Sequence, residues 1–334
     1  MRKGGSDSFR FEILHQSKKS KARVGILHTP NGIVETPGFV PVGTNGTLKG
    51  VSGTEFTSSG LQLMFANTYH LMLQPGTDVI KTAGGLHKFM NHTGPLITDS
   101  GGFQVFSLAA GVLPVLPTDC TLKGIAPPRH PSSVLNINEK GVAFRSYRTG
   151  ERILLTPESS ILAQKDIGAD IILPLDELPS STVDEATLKA SLIRTHRWQH
   201  RSFVQHKMDI KQQAIFGIVH GGMDFTLRKH SLDELHKDEW NGYCIGGHVG
   251  HSREAVVSLL SFLQPHFHSH LPRHLLGIAD PVSIPQCVPY GIDTFDSCFA
   301  TRVARHGTLF STTRGKIYLR RGKWKNVRRN LSYL

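Results

Sequence analysis

Ala214-Ile-Phe-Gly-Ile-Val219 runs straight into His220-Gly221-Gly222, and this stretch decides the fold. Six mostly apolar residues are too few for a buried helix, include β-branched side chains that suit a pleat, and stop at a polar residue beside a diglycine. The same signature recurs along the chain. Candidate strands are read at Phe39 to Val42, Leu61 to Ala66, Pro95 to Thr98, Ala169 to Leu175, Ala214 to Val219, Gly242 to Ile245, His274 to Ile278 and Asp293 to Phe295. Helical patterns lie between several of them, at Ser159 to Ile167, Val183 to His206, Thr226 to Lys237 and Arg253 to Leu263. Strand followed by helix, repeated eight times, predicts an α/β fold, a (β/α)8 TIM barrel. Upstream, Arg23 to Pro37 carries Thr29-Pro30-Asn31-Gly32 between two alternating runs and predicts an N-terminal antiparallel hairpin capping the barrel. The Pro- and Ser-rich stretch 101–157 predicts an insertion.

Composition agrees with one large core. With 334 residues, 39% hydrophobic and 19% charged, the chain is neither disordered nor fibrous. Cys120, Cys244, Cys287 and Cys298 form no CxxC pair, which argues against a disulfide-stapled secreted protein. No apolar run approaches the ~20 residues that span a bilayer, so the expectation is a cytoplasmic protein with no membrane partner. The net charge of +12 is unevenly placed. Residues 302–334 carry ten Lys or Arg and no acid, residues 1–23 seven against two, and the middle is slightly acidic. Three parts are expected: a basic segment 1–23, a barrel 24–313, and a basic remnant 314–334. In the last, Arg314, Lys316, Arg320, Arg321, Lys323, Lys325, Arg328 and Arg329 are interleaved with Tyr318 and Trp324. That pattern suits a polyanion; a solvated basic tail is the bland alternative.

Polar residues fall where the strands end. Asn67, Thr68 and His70 close the second run, Asp99 and Ser100 the third, and Asp176 and Glu177 the fourth. His220 and Gly221, Gly246 and Gly247, Asp280, and Asp296 and Ser297 close the rest. In a parallel barrel these ends share one mouth, so three or more carboxylates are expected there. Any single Asp is as well explained as a helix N-cap. Seven polar ends in succession are not. Within Thr98-Asp-Ser-Gly-Gly-Phe-Gln104, Asp and Gln can read the hydrogen-bonding edge of a planar base while Phe103 stacks on its face. A diglycine gripping phosphate is the rival reading of Gly246-Gly247.

Those residues also carry a resemblance. Asn67-Thr-Tyr-His-Leu71, Gly85-Leu-His-Lys-Phe89, the 98–104 run, Gly291-Ile-Asp-Thr-Phe-Asp296 and Thr301-Arg302 with Arg305 and Gly307 resemble the tRNA-guanine transglycosylases in order and spacing. The resemblance implies a barrel with an inserted zinc subdomain, and exchange of guanine at the anticodon wobble position of tRNA for a 7-deazaguanine base. It implies Asp296 as nucleophile and Asp99 as acid/base partner. Ser100, Gln104, Asp176, His220, Gly246, Gly247 and Leu276 match base-pocket positions and Phe103 the stacking aromatic. Arg302 and Arg305 match tRNA contacts. The implied partners are tRNA, guanine and a 7-deazaguanine base. A homodimer is left open.

The chain departs from the family pattern in four places. His220 stands where the family has Gln, His248-Val249-Gly250 is one residue short, and Ala300 replaces a proline. The family's zinc ligands would begin about where the sequence stops at Leu334, so a truncated zinc subdomain and no cofactor are expected. His196 with His200, and His266, His268 and His270, invite a metal reading against solvated histidines, but neither group has a further ligand at the usual spacing. An active transglycosylase is the first expectation. A non-catalytic tRNA-binding or partner subunit of the same family is the second.

Overall fold

The computed structural model describes residues 9–110, 134–311 and 314–324. Three antiparallel strands come first, β1 (Arg10–Gln16), β2 (Arg23–Thr29) and β3 (Gly32–Thr36). β4 (Gly38–Pro41), β5 (Met64–Ala66) and β6 (Leu96–Thr98) then open the barrel. An inserted three-stranded sheet follows, β7 (Val134–Asn138), β8 (Gly141–Arg145) and β9 (Arg152–Leu155). β10 (Ile171–Ile172), β11 (Ala214–Val219), β12 (Gly242–Ile245), β13 (Arg273–Leu275) and β14 (Thr294–Ser297) complete the barrel. β15 (Thr308–Ser311) and β16 (Gly315–Tyr318) form a final hairpin.

The barrel strands pair in the order β4-β14-β13-β12-β11-β10-β6-β5, and a parallel bridge from Val42 to Phe65 joins the two ends. Every expected strand run contributes. β11 shows why. Phe216 and Ile218 face the barrel interior with Val40, Phe65, Ile97 and Cys244, while Ile215 and Val219 face outward against Leu232 and Leu235 of the helix Phe225–Leu235. A strand buried on both faces must read as a continuous apolar run. Burying each such side chain contributes roughly 1.5–3 kcal/mol. Helices Pro157–Ile167, Glu185–Met208 and Arg253–Leu263 pack around the outside close to their expected limits.

The ladders are shorter than the apolar runs. Of Ala169 to Leu175 only Ile171–Ile172 pairs as strand. Beyond it, the Gln164 side chain donates to Leu173 O at 2.7 Å and accepts from Leu173 N at 2.9 Å, replacing neighbouring-strand partners. Gln199 does the same for Ile218, at 2.8 Å both ways. Side-chain amides from the helix layer satisfy backbone groups that a longer ladder would have used.

The expected hairpin is present, and β1 adds to it a third strand within the segment read as merely basic. Its alternation is broken by Ile13-Leu14, where the register also shifts. Leu27 and Val34 of this sheet are buried in the same cluster as the barrel interior and plug its N-terminal end. The turn residue Asn31 donates to Asp170 Oδ1 from its backbone at 3.1 Å and its side chain at 2.9 Å. Arg23 forms a two-pronged pair with Asp293, at 2.8 and 2.6 Å. Closing that end leaves the opposite mouth for chemistry. Among the described residues no helix is long and apolar enough to cross a membrane.

Candidate active site

The mouth is built from the C-terminal ends of the strands, and Asp99 is its most constrained acid. It follows β6 directly and is buried. Oδ2 accepts from Asn67 Nδ2 at 2.6 Å and Gln104 Nε2 at 2.9 Å, and Oδ1 from the Thr68 N–H at 2.9 Å and the Gly101 N–H at 3.1 Å. Burial pushes its carboxyl up to about 6, against four hydrogen bonds that favour the ionised form. A carboxyl raised that far can take up or release a proton near neutral pH. Because a carboxylate only accepts, the Gln104 amide must face it through nitrogen, leaving Gln104 Oε1 buried and without a partner.

Asp176 organises a second group. Ser100 Oγ donates to its Oδ1 at 3.3 Å, and His220 Nε2 lies 2.8 Å from its Oδ2. The latter contact is close but lacks hydrogen-bond alignment. Gly246 comes close to this group. A Cβ there would lie 2.6 Å from Ile218, 3.1 Å from Leu276 and 3.7 Å from His220 Nε2, so only glycine lets the backbone approach. Gly247, at φ +71°, turns the chain over the His220 ring. Phe103 sits half-buried in the first turn of the helix Gly102–Ala110, one residue before Gln104.

Asp296, on β14, is also buried, and its Oδ1 accepts from His274 Nε2 at 3.1 Å and from the Gly277 N–H at 2.8 Å. Leu276 ties this group to Gly246. Burial first, then the charges of Asp296 and Asp176, hold the Cys244 thiol well above its usual pKa. The structure therefore gathers Asp176, Ser100, His220, Gly246, Leu276 and Asp296 at one mouth, with Asp99 and Gln104 on the adjoining β6 loop. Two other acids expected there are used elsewhere. Glu177 pairs with Arg194 at 2.7 Å, and Asp280 accepts from Val282 N and Ser283 N and pairs with Arg253 at 3.2 Å. Asp280 takes the cap-type role that a lone strand-end acid suggests, and Glu177 an ion pair.

Arg302 and Arg305 occupy the helix Phe299–Arg305 just past β14, the first half-buried and the second exposed, and neither pairs with a carboxylate among the described residues. In the tail, Arg321 lies over the Tyr318 ring at 4.7 Å and Arg314 over Trp324 at 5.7 Å. Lys325, Arg328, Arg329 and Cys120 lie outside the described residues. Among the described residues no three His, Cys, Asp or Glu side chains are grouped to hold a metal ion. His196 meets Ser231 at 2.9 Å, His200 pairs with Asp238 at 3.0 Å, and His268 meets the Tyr243 hydroxyl at 2.9 Å.

Three contributors escaped the sequence reading as site residues: Asn67 as a partner of Asp99, His274, and Arg228. In sequence Asn67 is only a polar strand end. His274 has a signal, an imidazole opening an apolar strand run. Arg228 has none, since a helix arginine ordinarily faces water. Here it is fully buried and donates to Gly222 O, Val219 O, Gly246 O and His248 O at 2.6–2.8 Å, locking together the loops that follow β11 and β12. Burial pulls its pKa down to about 9, which still leaves it a cation at neutral pH.

The family model described as Queuine tRNA-ribosyltransferase matches residues 17–332. A Queuine tRNA-ribosyltransferase of Protochlamydia amoebophila (strain UWE25) is 53% identical over 303 residues, covering 91% of this chain and 77% of the relative. Proteins of the same name from Chlamydia caviae and Chlamydia pneumoniae are 46% and 42% identical, covering 91% of this chain and 80% and 79% of their own lengths. A family match over most of the chain, on a closed barrel with buried acids at one mouth, establishes that this chain belongs to the queuine tRNA-ribosyltransferase family.

Proposed function

We propose that the protein is an active tRNA-guanine transglycosylase, a pentosyltransferase that exchanges guanine at the anticodon wobble position of tRNAs with G-U-N anticodons for a 7-deazaguanine base, preQ1 or queuine. Asp296 attacks the ribose and forms a covalent ribosyl-aspartate. Asp99 moves the protons of the departing and arriving bases. Asp176, Ser100, Gln104, His220, Gly246, Gly247 and Leu276 hold the base edge, and Phe103 stacks on its face. The target nucleotide must be turned out of its loop to reach this mouth. The observation that carries the reading is the unlike setting of two buried acids. Asp99 has both oxygens bonded and a raised pKa, whereas Asp296 is held by one oxygen alone. A retaining exchange needs that division of labour. The unpartnered, buried Gln104 Oε1 supports a ligand that donates a hydrogen bond there.

Labelled guanine, exchanged into tRNA bearing a G-U-N anticodon, tests the proposal directly. Incorporation is the expected result. Binding without incorporation would leave the non-catalytic tRNA-binding or partner subunit as the better account, and absence of both would end the nucleic-acid reading. Affinity for tRNA is expected to be largely electrostatic. If about five cations contact phosphates, log affinity falls against log salt with a slope of roughly −3.5 to −4.5. Arg302→Ala and Arg305→Ala should each flatten that slope by about one contact's worth. A slope that neither substitution moves removes both residues from the interface.

A further inference from the structure

We propose that His274 is the positioning residue that selects which oxygen of Asp296 attacks, a reading that rests on the nucleophile assignment above. β12, β13 and β14 set Cys244, His274 and Thr294 side by side in register. The His274 ring is wholly buried and stacks on Phe65, with centroids 6.1 Å apart. Its Nδ1 lies 2.8 Å from Thr294 Oγ1 and its Nε2 3.1 Å from Asp296 Oδ1. A carboxylate has no proton to give, so the proton in the second contact sits on Nε2. In the neutral ring Nδ1 then accepts from the Thr294 hydroxyl. The tautomer follows from the partners.

The Gly277 N–H reaches the same Oδ1 at 2.8 Å. Two donors therefore converge on Oδ1, and among the described residues none reaches Oδ2. The carboxylate is held by one oxygen and offers the other.

In the first half-reaction an Oδ2 lone pair forms the bond to ribose C1′ as the bond from C1′ to guanine N9 breaks. The electron pair leaves on N9, which takes a proton from Asp99. Asp296 is now a neutral ester whose carbonyl oxygen is Oδ1, still facing both donors. In the second half-reaction the incoming base gives a proton to Asp99 and attacks C1′ through nitrogen. The bond from C1′ to Oδ2 breaks, and its electron pair returns to the carboxylate. Charge reappears on a group already met by two N–H donors, so no reorganisation is needed as it leaves.

The test uses the full chain with His274→Phe, His274→Gln and Thr294→Val. Removing a hydrogen bond to a charged group is expected to cost about 10–100-fold in kcat for His274→Phe. KM for tRNA should stay within about twofold, because binding contacts are untouched. The fraction of enzyme trapped as a denaturant-resistant RNA adduct should rise, since the carboxylate leaves less readily. His274→Gln, whose amide N–H can still donate, should recover most of the rate. Thr294→Val keeps the ring but frees its tautomer, and should fall between. A His274→Phe enzyme that exchanges at the parental rate overturns the proposal, as does a His274→Gln enzyme no better than Phe at equal thermal midpoint. Should the Phe variant not fold, an unchanged rate and adduct fraction in Thr294→Val overturns it instead. Adduct formation by Asp296→Asn, run in parallel, would defeat the nucleophile assignment separately.

Discussion

Asp296→Asn is expected to lower base exchange by roughly 10⁴-fold or more while tRNA binding persists. The substitution removes little besides charge. Its oxygen can still accept from His274 and Gly277, which meet Oδ1 at 3.1 and 2.8 Å, so the side chain keeps its orientation. What it loses is the anionic second oxygen, because an amide nitrogen has no lone pair free to form a glycosyl ester. Wild-type enzyme mixed with tRNA and quenched in denaturant should show an RNA-linked band on a gel. The mutant should show none. A mutant that still forms the band would move the nucleophile to another residue.

Asp99→Asn is expected to cost about 10²–10⁴-fold in exchange, the usual contribution of a positioned acid/base group. It should also abolish the alkaline limb of the first half-reaction, because only the protonated Asp99 carboxyl can give N9 its proton. In the wild type that limb is set near pH 6, where burial has pushed the Asp99 carboxyl. The same shift predicts a stability signature of definite sign. The folded value of about 6 lies above the ordinary 3.8, so the folded state holds its proton longer than the unfolded chain does. Well below pH 3.8 both states are protonated and the group costs nothing. As pH rises through this window the unfolded state ionises first, and stability falls by a total of about 3 kcal/mol, complete above about pH 6. Urea unfolding of wild type and Asp99→Asn at pH 4 and pH 8 measures it, because the asparagine does not titrate. The mutant should gain on the wild type by about that amount as pH rises. A gap that stays flat between the two pH values contradicts the raised carboxyl.

The barrel was legible because burial on two faces forces a run of apolar residues. Ala214 to Val219 and Gly242 to Ile245 have the same limits in sequence and in structure. Ala169 to Leu175 does not, since Gln164 takes over the backbone groups of Leu173. Nothing in a strand's own sequence records a side chain nine residues upstream. β1 escaped for the opposite reason: it is largely exposed, so no buried face imposes a period on it.

By itself the sequence determined the eight-strand barrel, the capping hairpin and the set of acids and glycines at strand ends, because local periodicity and turn chemistry are properties of neighbours along the chain. Tertiary structure alone decided what each acid does. Asp99, Glu177, Asp280 and Asp296 are alike as strand-end acids. One is wrapped by four donors and pushed up to about 6, two are spent on Arg194 and Arg253, and one is held by a single oxygen. Their partners come from residues such as Asn67, Arg253 and His274, many positions away in sequence, and a carboxylate's proton affinity depends on what surrounds it in space.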